Sequence, residues 1–221
     1  MTTAIILAAG KSTRMGAKAD KAFLSLIGKP VVAWSLMAFE RTPEIDKIVL
    51  VVRKDQLDAS KAVVKMFGIS KIQAIVQGGT RRQDSVLAGI AACDLDTKHI
   101  VIHDGARPLV TPELISEVVA AVKKSGAVTV GRPMIDTVKK CAKAAIVSET
   151  VDRDKLWLVQ TPQAFLLKDL RAAYKNVDGE ITDDCKAIED NGGTVKIVQS
   201  LKPNFKITTI EDFELVSKIM K

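Results

Sequence analysis

Cysteine is scarce in this sequence, and its scarcity excludes two classes of small protein. The 221 residues contain three cysteines, Cys93, Cys141 and Cys185, which lie far apart and form no Cys-x-x-Cys pair. A disulfide framework needs cysteine at higher density, and a structural zinc site needs closely spaced pairs. We therefore expect a reducing compartment and a fold that is stabilised by a hydrophobic core.

Long apolar runs are also missing. The first apolar stretch ends at Gly10 in a glycine-rich basic loop, which is too early for the core of a signal peptide. No later stretch approaches the ~20 apolar residues that a membrane span needs. We therefore expect a cytoplasmic protein without a membrane partner.

Aromatic residues make up only 4% of a chain that is nevertheless basic. Lys and Arg outnumber Asp and Glu by 33 to 26, which gives a net charge of +7. This charge is typical either of a surface that binds a polyanion or of lysines scattered over a well-solvated surface. No long run of basic residues marks a nucleic-acid-binding arm, and few side chains are available for stacking on bases. The sequence favours scattered lysines, and we expect no nucleic-acid partner.

What the sequence does contain is an alternation of short β-branched runs with amphipathic segments. The predicted strands are Ala4–Leu7, Lys47–Val52, Lys71–Val76, His99–Ile102 and Ala127–Val130. The predicted helices are Pro30–Glu40, Gln56–Phe67, Ser85–Ala92 and Thr111–Lys124. This order predicts an α/β fold, a Rossmann-like three-layer sandwich with a mostly parallel sheet, in which ligands bind at the carboxyl ends of the strands.

The alternation stops after Pro133. Asp136–Cys141 and Ala144–Val151 resemble two antiparallel strands joined by a short turn, and we interpret residues 134–152 as a projecting β-arm on a single domain of residues 1–221. An arm that cannot bury its apolar face on its own core usually contacts a second subunit, so we predict a homodimer through it. The remaining predicted elements are a strand near Leu158, helices at Lys168–Asn176 and Asp183–Asn191, strands at Thr194–Val198 and Phe205–Thr208, and a helix from Glu211.

The loop after the first predicted strand, residues 10–16, has the sequence Gly-Lys-Ser-Thr-Arg-Met-Gly. Backbone N–H groups and two cations at a strand end suit a polyphosphate. The loop is not a Walker A motif, because Ile5 stands where that motif has its first glycine. It is not a dinucleotide-binding fingerprint either, because Ser12 and Met15 replace the second and third glycines. By spacing alone, a plain strand-to-helix turn is as well supported as a phosphate site.

Three further features favour the phosphate site. Lys21 follows the loop closely, and residues 77–85 form a second loop, rich in glycine and arginine, at another strand end. Asp104 follows the strand His99–Ile102, where a lone carboxylate can hold Mg²⁺ beside substrate phosphates. The alternative for Asp104 is a turn-forming residue before glycine. We interpret His103 as structural.

Nine short segments, spread over nearly the full length of the chain, match the motifs of a known enzyme family in the same order. These segments are Ala8-Ala9-Gly10 with Arg14-Met15-Gly16, Lys21 with Phe23, Gly78-Gly79 through Asp84-Ser85-Val86, residues 103–108, Asp136-Thr137-Val138-Lys139, Arg153 with Leu156-Trp157, residues 160–165, Thr182-Asp183-Asp184, and Lys206-Ile207-Thr208. In this order they resemble the 2-C-methyl-D-erythritol 4-phosphate cytidylyltransferases of the non-mevalonate isoprenoid pathway.

The resemblance implies a reaction in which a phosphate oxygen of methylerythritol phosphate attacks the α-phosphorus of CTP and releases pyrophosphate. It places Arg14 and Lys21 where they stabilise the negative charge around that phosphorus, and it gives Asp104 the role of holding Mg²⁺ or another divalent cation. Because the acceptor is already an anion, no general base is required, which suits a chain with two histidines.

The resemblance also implies two sets of binding residues. The residues implied for CTP are Ala8, Ala9, Gly10, Ser12, Arg14, Lys21, Gly79, Thr80, Ser85, Asp104 and Gly105. The residues implied for the phosphorylated polyol acceptor are Arg107, Thr137, Arg153, Thr161, Thr182 and Lys206. Cations suit a phosphomonoester and hydroxyls suit a polyol, although Thr182 is also a candidate helix cap and Lys206 a candidate solvated residue. Thr137 and Arg153 lie on the predicted arm, which implies a site shared between subunits.

Two residues depart from the family pattern. Ser12 stands where glycine is common, and Asp20 stands where proline usually precedes the catalytic lysine. Asp20 adds negative charge near an incoming triphosphate, so we expect a lower rate or a weaker nucleotide affinity.

Two other functions compete with the main prediction. Ribitol-5-phosphate cytidylyltransferase has the same fold and mechanism, but Ala8-Ala9-Gly10 and residues 103–108 look more like the methylerythritol enzyme. A non-catalytic nucleotide-binding module is the remote alternative. The presence of Arg14, Lys21 and Asp104 together argues against it, because a mere binder would not need all three.

Overall fold

The computed structural model describes residues 1–10 and 20–221 and has the predicted alternation of strands and helices. Its strands are β1 Thr2–Ala8, β2 Ser25–Leu26, β3 Lys29–Pro30, β4 Lys47–Val52, β5 Ile72–Gln77, β6 His99–Asp104, β7 Ala127–Pro133, β8 Val138–Cys141, β9 Val147–Val151, β10 Trp157–Leu166 and β11 Lys196–Gln199. Its α-helices are α1 Val31–Arg41, α2 Leu57–Met66, α3 Arg82–Ala91, α4 Pro112–Ser125, α5 Leu167–Lys175, α6 Asp184–Asp190 and α7 Ile210–Ile219. Within the described ranges, no helix has the length and apolarity needed to cross a bilayer.

Seven strands form one sheet in the order β11-β7-β10-β6-β1-β4-β5. The pairs β1–β4, β1–β6, β4–β5 and β7–β11 are parallel, whereas β10 runs antiparallel to both of its neighbours, β6 and β7. The predicted mostly parallel sheet is therefore confirmed. β10 enters the sheet from the opposite direction, so its first half, rather than its end, lies near the carboxyl ends of β1 and β6.

The two faces of the sheet carry separate hydrophobic cores. Successive side chains of a strand point to opposite faces, and accordingly Ile5 and Ile6 of β1 belong to different cores. One core receives apolar side chains of α1, α2 and α4, among them Phe39, and the other receives those of α3, α5 and α6. This arrangement of helices on both faces confirms the three-layer sandwich.

The predicted β-arm consists of β8 and β9, which pair antiparallel with each other in a separate two-stranded sheet. Both strands begin later than the sequence predicts. The connection is longer than the predicted turn because a 3₁₀ turn, Lys143–Ala145, lies between the strands, and Ala144 and Ala145 adopt positive φ. The side chain of Ile146 is exposed in the single chain. The role of the arm in dimerisation stays a prediction.

The strand predicted at Phe205–Thr208 is wrong. This segment lies beside the loop after β6 and pairs with no strand of the described residues. The Ile207 N–H donates a hydrogen bond of 2.8 Å to the Ala106 carbonyl, and the Ile207 side chain is buried. The alternating pattern therefore reflects an extended segment that buries Ile207 and places Lys206 beside β6.

Candidate active site

The loops after β1, β5 and β6 meet at the carboxyl edge of the sheet. Leu7 is in register with Asp104 across the β1–β6 pair, and the Gly105 N–H donates a hydrogen bond of 2.8 Å to the Leu7 carbonyl. The loops surround a pocket, here called the first pocket. It is lined by Leu7, Ala8, Ala9, Gly10, Asp20, Lys21, Ala22, Gly79, Thr80, Arg81, Arg82, Ser85, Asp104, Ala106 and Lys206.

Most of the residues predicted to bind CTP line this pocket. They are Ala8, Ala9, Gly10, Lys21, Gly79, Thr80, Ser85 and Asp104. Gly105 is not among the lining residues, and its N–H is used to join β6 to β1. Ser12 and Arg14 lie outside the described residues, as does the rest of the predicted loop from residue 11 to residue 16.

Two glycines allow the second predicted loop to approach the end of β1. A Cβ on Gly78 would lie 2.5 Å from Ala9 Cβ, and one on Gly79 would lie 2.3 Å from Asp84 Cβ, both closer than atoms can pack. The Gly79 N–H donates a hydrogen bond of 3.2 Å to Ser85 Oγ. Glycine at these two positions therefore brings the first turn of α3 against the end of β1.

Asp104 is the centre of a cluster of charges. Its carboxylate lies 2.9 Å from Lys206 Nζ, 3.4 Å from Arg107 Nε and 3.8 Å from Arg82 Nε. Burial disfavours the ionised form, but the positive charges of Lys206, Arg82 and Arg107 outweigh it and lower the pKa of Asp104 far below its ordinary value. Asp104 is therefore a carboxylate at any physiological pH.

A second pocket adjoins the first on the side of β10 and α6. It is lined by Arg82, Asp104, Arg107, Val159, Gln160, Thr161, Gln163, Thr182, Asp183, Lys186, Glu189 and Lys206. Four of the predicted acceptor residues line it, namely Arg107, Thr161, Thr182 and Lys206. Three residues, Arg82, Asp104 and Lys206, line both pockets.

The other two predicted acceptor residues do not line either pocket of the single chain. Thr137 and Arg153 are exposed, just before β8 and just after β9. The Arg153 guanidinium donates a hydrogen bond to the Ile135 carbonyl at the base of the arm. Their participation through a second subunit stays a prediction.

Thr161 holds the loop after β6 in place. Its Oγ1 accepts a hydrogen bond of 3.0 Å from the Asp104 N–H and lies 3.1 Å from His103 Nδ1. Burial lowers the pKa of His103 to about 3, so the imidazole is neutral. His103 is fully buried, and its Nε2 lies 3.3 Å from the Arg107 carbonyl, which agrees with the structural role expected from the sequence.

Sequence reasoning missed Asn204, which joins the acceptor residues to one another. Its side-chain amide donates a hydrogen bond of 2.8 Å to the Thr161 backbone carbonyl. The backbone carbonyl of Asn204 accepts a hydrogen bond of 2.8 Å from Arg107 Nη1. Asn204 is 2% exposed. The sequence offered no signal for it, because its partners lie at least 43 residues away along the chain.

Sequence reasoning also missed Arg82, which it did not separate from its neighbour Arg81. Arg81 pairs with Asp84 on the outside of α3, at 2.7 Å, whereas the Arg82 side chain turns inward to Asp104 and Asp184. The sequence did contain a signal that Arg82 faces inward. Ser85, three residues after Arg82, lies on the buried face of α3, so the helical period assigns Arg82 to that face.

Asp20, which stands where the family usually has proline, lines the first pocket. One carboxylate oxygen accepts a hydrogen bond of 3.1 Å from the Ala22 N–H, and the other lies 3.7 Å from Arg53 Nη1. Burial raises the pKa of Asp20 although Arg53 opposes the shift. The effect of Asp20 on nucleotide affinity stays a prediction. Arg53 is a nearby positive charge that opposes the negative charge of Asp20.

The donor set at Asp104 fits a magnesium ion that is shared with a substrate. Within residues 1–10 and 20–221, no group of three or more His, Cys, Asp or Glu side chains could hold a metal by itself. Mg²⁺ in phosphoryl-transfer sites is usually bound by one or two carboxylates, with phosphate oxygens and water completing the shell. Asp104 lies between the two pockets and supplies one such carboxylate, and its role as a metal ligand stays a prediction.

A family model and the sequence relatives of this chain all point to the same enzyme family. The family model "IspD: 2-C-methyl-D-erythritol 4-phosphate cytidylyltransferase" matches residues 2–221. A 2-C-methyl-D-erythritol 4-phosphate cytidylyltransferase of Dehalococcoides mccartyi is 43% identical over 218 residues, which are 99% of this chain and 95% of the relative. One of Alkaliphilus oremlandii is 40% identical over 100% of this chain and 95% of the relative.

Solved structures agree with the sequence relatives. A crystal structure of 4-diphosphocytidyl-2C-methyl-D-erythritol synthase from Anaerococcus prevotii superposes with a TM-score of 0.87 at 32% identity, covering 100% of this chain and 98% of that one. The chain belongs to the 2-C-methyl-D-erythritol 4-phosphate cytidylyltransferase family and is a nucleotidyltransferase.

Proposed function

We propose that this protein transfers the cytidylyl group of CTP to 2-C-methyl-D-erythritol 4-phosphate in the non-mevalonate isoprenoid pathway. The products are 4-diphosphocytidyl-2-C-methyl-D-erythritol and pyrophosphate. The observation that carries the proposal is the junction of the two pockets at Asp104, where Arg82 and Lys206 line both. A nucleotide in the first pocket and an anionic acceptor in the second would meet there.

The chemistry follows from the charges around that junction. As the acceptor phosphate oxygen forms its bond to the α-phosphorus and the bond to pyrophosphate breaks, negative charge spreads over the phosphate oxygens. Lys21 in the first pocket supplies a fixed positive charge, and we assign Arg14 the same role. Arg107 and Lys206 would hold the acceptor phosphate, while Ala8, Ala9, Gly79 and Ser85 would contact the nucleotide.

We assign the divalent cation, Mg²⁺ or a neighbour of it, to Asp104. When bound, the cation would neutralise phosphate charge and orient the triphosphate. The positive charges of Lys206, Arg82 and Arg107 keep the Asp104 carboxylate ionised, which is the form that a cation would bind.

Incubation of the purified protein with CTP, Mg²⁺ and each of two acceptors tests the proposal. We expect release of pyrophosphate with methylerythritol phosphate at a kcat/KM well above that with ribitol 5-phosphate. Faster turnover of ribitol 5-phosphate would make the protein the alternative cytidylyltransferase. CTP binding without turnover of either acceptor would make it a non-catalytic binding module.

The Gly79→Ala variant tests the assignment of the second loop to the nucleotide. The added methyl group would lie 2.3 Å from Asp84 Cβ, so the loop must move away from the pocket. We expect the KM for CTP to rise about tenfold, equivalent to about 1.4 kcal/mol, with a smaller change in the KM for the acceptor. Steady-state kinetics in both substrates measure this, and an unchanged KM for CTP would exclude loop contact with the nucleotide.

We further propose that the β-arm, residues 134–152, completes the acceptor site of a partner subunit in a homodimer. The exposed positions of Thr137 and Arg153 support this proposal, because an acceptor residue outside both pockets needs a second chain to reach one.

Mixing two inactive variants tests the shared site. Arg153→Ala removes the arm residue, and Lys21→Ala removes the pocket residue, so each homodimer should be nearly inactive. In a mixed dimer, one site combines an intact pocket with an intact arm, and we expect about a quarter of wild-type activity after subunit exchange at equal concentrations. Activity that stays at the level of the unmixed variants would contradict action across the interface.

A further inference from the structure

Arg82 is a charged residue between the two pockets that has no assigned role in the reaction. Its Nη2 lies 2.7 Å from Asp184 Oδ2, and its Nε lies 3.8 Å from Asp104 Oδ1. Asp104 ends β6 and lines both pockets, whereas Asp184 begins α6 and is fully buried. One guanidinium at the junction of the pockets therefore links β6 to α6.

Asp184 anchors this guanidinium firmly. The residue is fully buried, and Tyr174 Oη donates a hydrogen bond of 2.5 Å to Oδ1, which leaves Oδ2 for Arg82. The Asp184 N–H donates to Gln163 Oε1 at 3.2 Å. A buried carboxylate without a partner is strongly unfavourable, so this pair has little freedom to rearrange.

We infer that Arg82 is a positioning residue: held by Asp184, it fixes the Asp104 carboxylate at the junction of the two pockets. The inference rests on the proposed function, which places Asp104 beside the reacting phosphates. Arg82 also joins the first turn of α3, three residues before Ser85, to the start of α6, two residues after Thr182. The nucleotide loop and the acceptor loop are thereby kept at a fixed separation.

The fork of the guanidinium is essential to this role. Two nitrogens that point in different directions can engage two carboxylates at once, whereas the single ammonium of lysine can engage only one of these two closely. We therefore expect Arg82→Lys to retain the pair with the buried Asp184 and to lose its hold on Asp104.

Steady-state kinetics of Arg82→Gln and Arg82→Lys test the inference. We expect kcat to fall about 100-fold for Gln and about tenfold for Lys, because small displacements of a reacting group cost rates of that order. The KM values for CTP and for the acceptor should change less than about threefold. The control is Arg41→Gln at the exposed end of α1, which should keep wild-type kinetics.

A double variant separates positioning from stability. Arg82→Gln leaves the buried Asp184 carboxylate without its positively charged partner, so the melting temperature of the variant should fall. Adding Asp184→Asn removes that buried charge and should recover the melting temperature while kcat stays low. Recovery of kcat together with the melting temperature would show a purely structural role and overturn the inference.

Two further results would also overturn it. A large rise in either KM with kcat unchanged would make Arg82 a substrate-binding residue. If the wild-type protein itself releases no pyrophosphate, the proposed function fails and the inference fails with it, whereas an active wild type with fully active Arg82 variants refutes the inference alone.

Discussion

Replacement of Lys21 by alanine is expected to lower kcat about 10³-fold, equivalent to about 4 kcal/mol of transition-state stabilisation. Lys21 lines the first pocket together with Gly10 and Asp104. A fixed cation beside the α-phosphorus interacts most strongly when charge accumulates there in the transition state. The triphosphate and the base have other contacts in the ground state, so the Kd for CTP should rise less than about tenfold.

Single-turnover rates and calorimetric CTP titrations of Lys21→Ala measure the two effects separately. Lys61→Ala is the matched control, because this lysine is exposed on α2 and pairs, among the described residues, only with Asp58, which is also exposed, at 2.9 Å. The control should retain wild-type values. Equal losses of CTP binding and turnover would assign Lys21 to ground-state binding instead.

Replacement of Asp104 by asparagine should have an effect of at least the same size. The change is nearly isosteric, but it removes the negative charge that faces Lys206, Arg107 and Arg82 at the junction, and with it the proposed metal ligand. We expect kcat to fall at least about 10³-fold and the remaining activity to lose its dependence on Mg²⁺ concentration.

Pyrophosphate release measured over a range of Mg²⁺ concentrations tests this expectation, and circular dichroism checks that the variant is folded. The control is Asp58→Asn, whose side chain is 95% exposed. A folded Asp104→Asn enzyme with wild-type Mg²⁺ dependence would contradict the assignment of the metal to Asp104.

Local sequence signals predicted those parts of the fold that depend on neighbouring residues. Helix α4 begins as expected, with Thr111 Oγ1 accepting a hydrogen bond from the Leu114 N–H and Pro112 at the first helical position. The buried parallel strands were found because both of their faces are apolar. Likewise, the loops after β1, β5 and β6 were expected to meet because parallel strands share one carboxyl edge.

Features that depend on distant pairing were not predictable in the same way. The sequence around Leu158 does not indicate that β10 runs antiparallel between β6 and β7, because the direction of a strand depends on partner strands elsewhere in the chain. The pair between Arg82 and Asp184 joins residues 102 positions apart. Lys206 contacts Asp104 from a segment that resembles a strand and is not one.

The division of the site into two pockets has a consequence for how such enzymes diverge. The second pocket alone is lined by Gln160 of β10, Thr182 just before α6 and Lys186 of α6, whereas the first alone is lined by Ala9 and Thr80. Because we assign the acceptor to the second pocket, we expect mutations of these residues to change the preferred phosphorylated polyol and to leave the nucleotide pocket intact. A mutant library confined to β10, α6 and the segment just before α6 should therefore yield variants with altered acceptor choice, provided that the three residues common to both pockets are left unchanged.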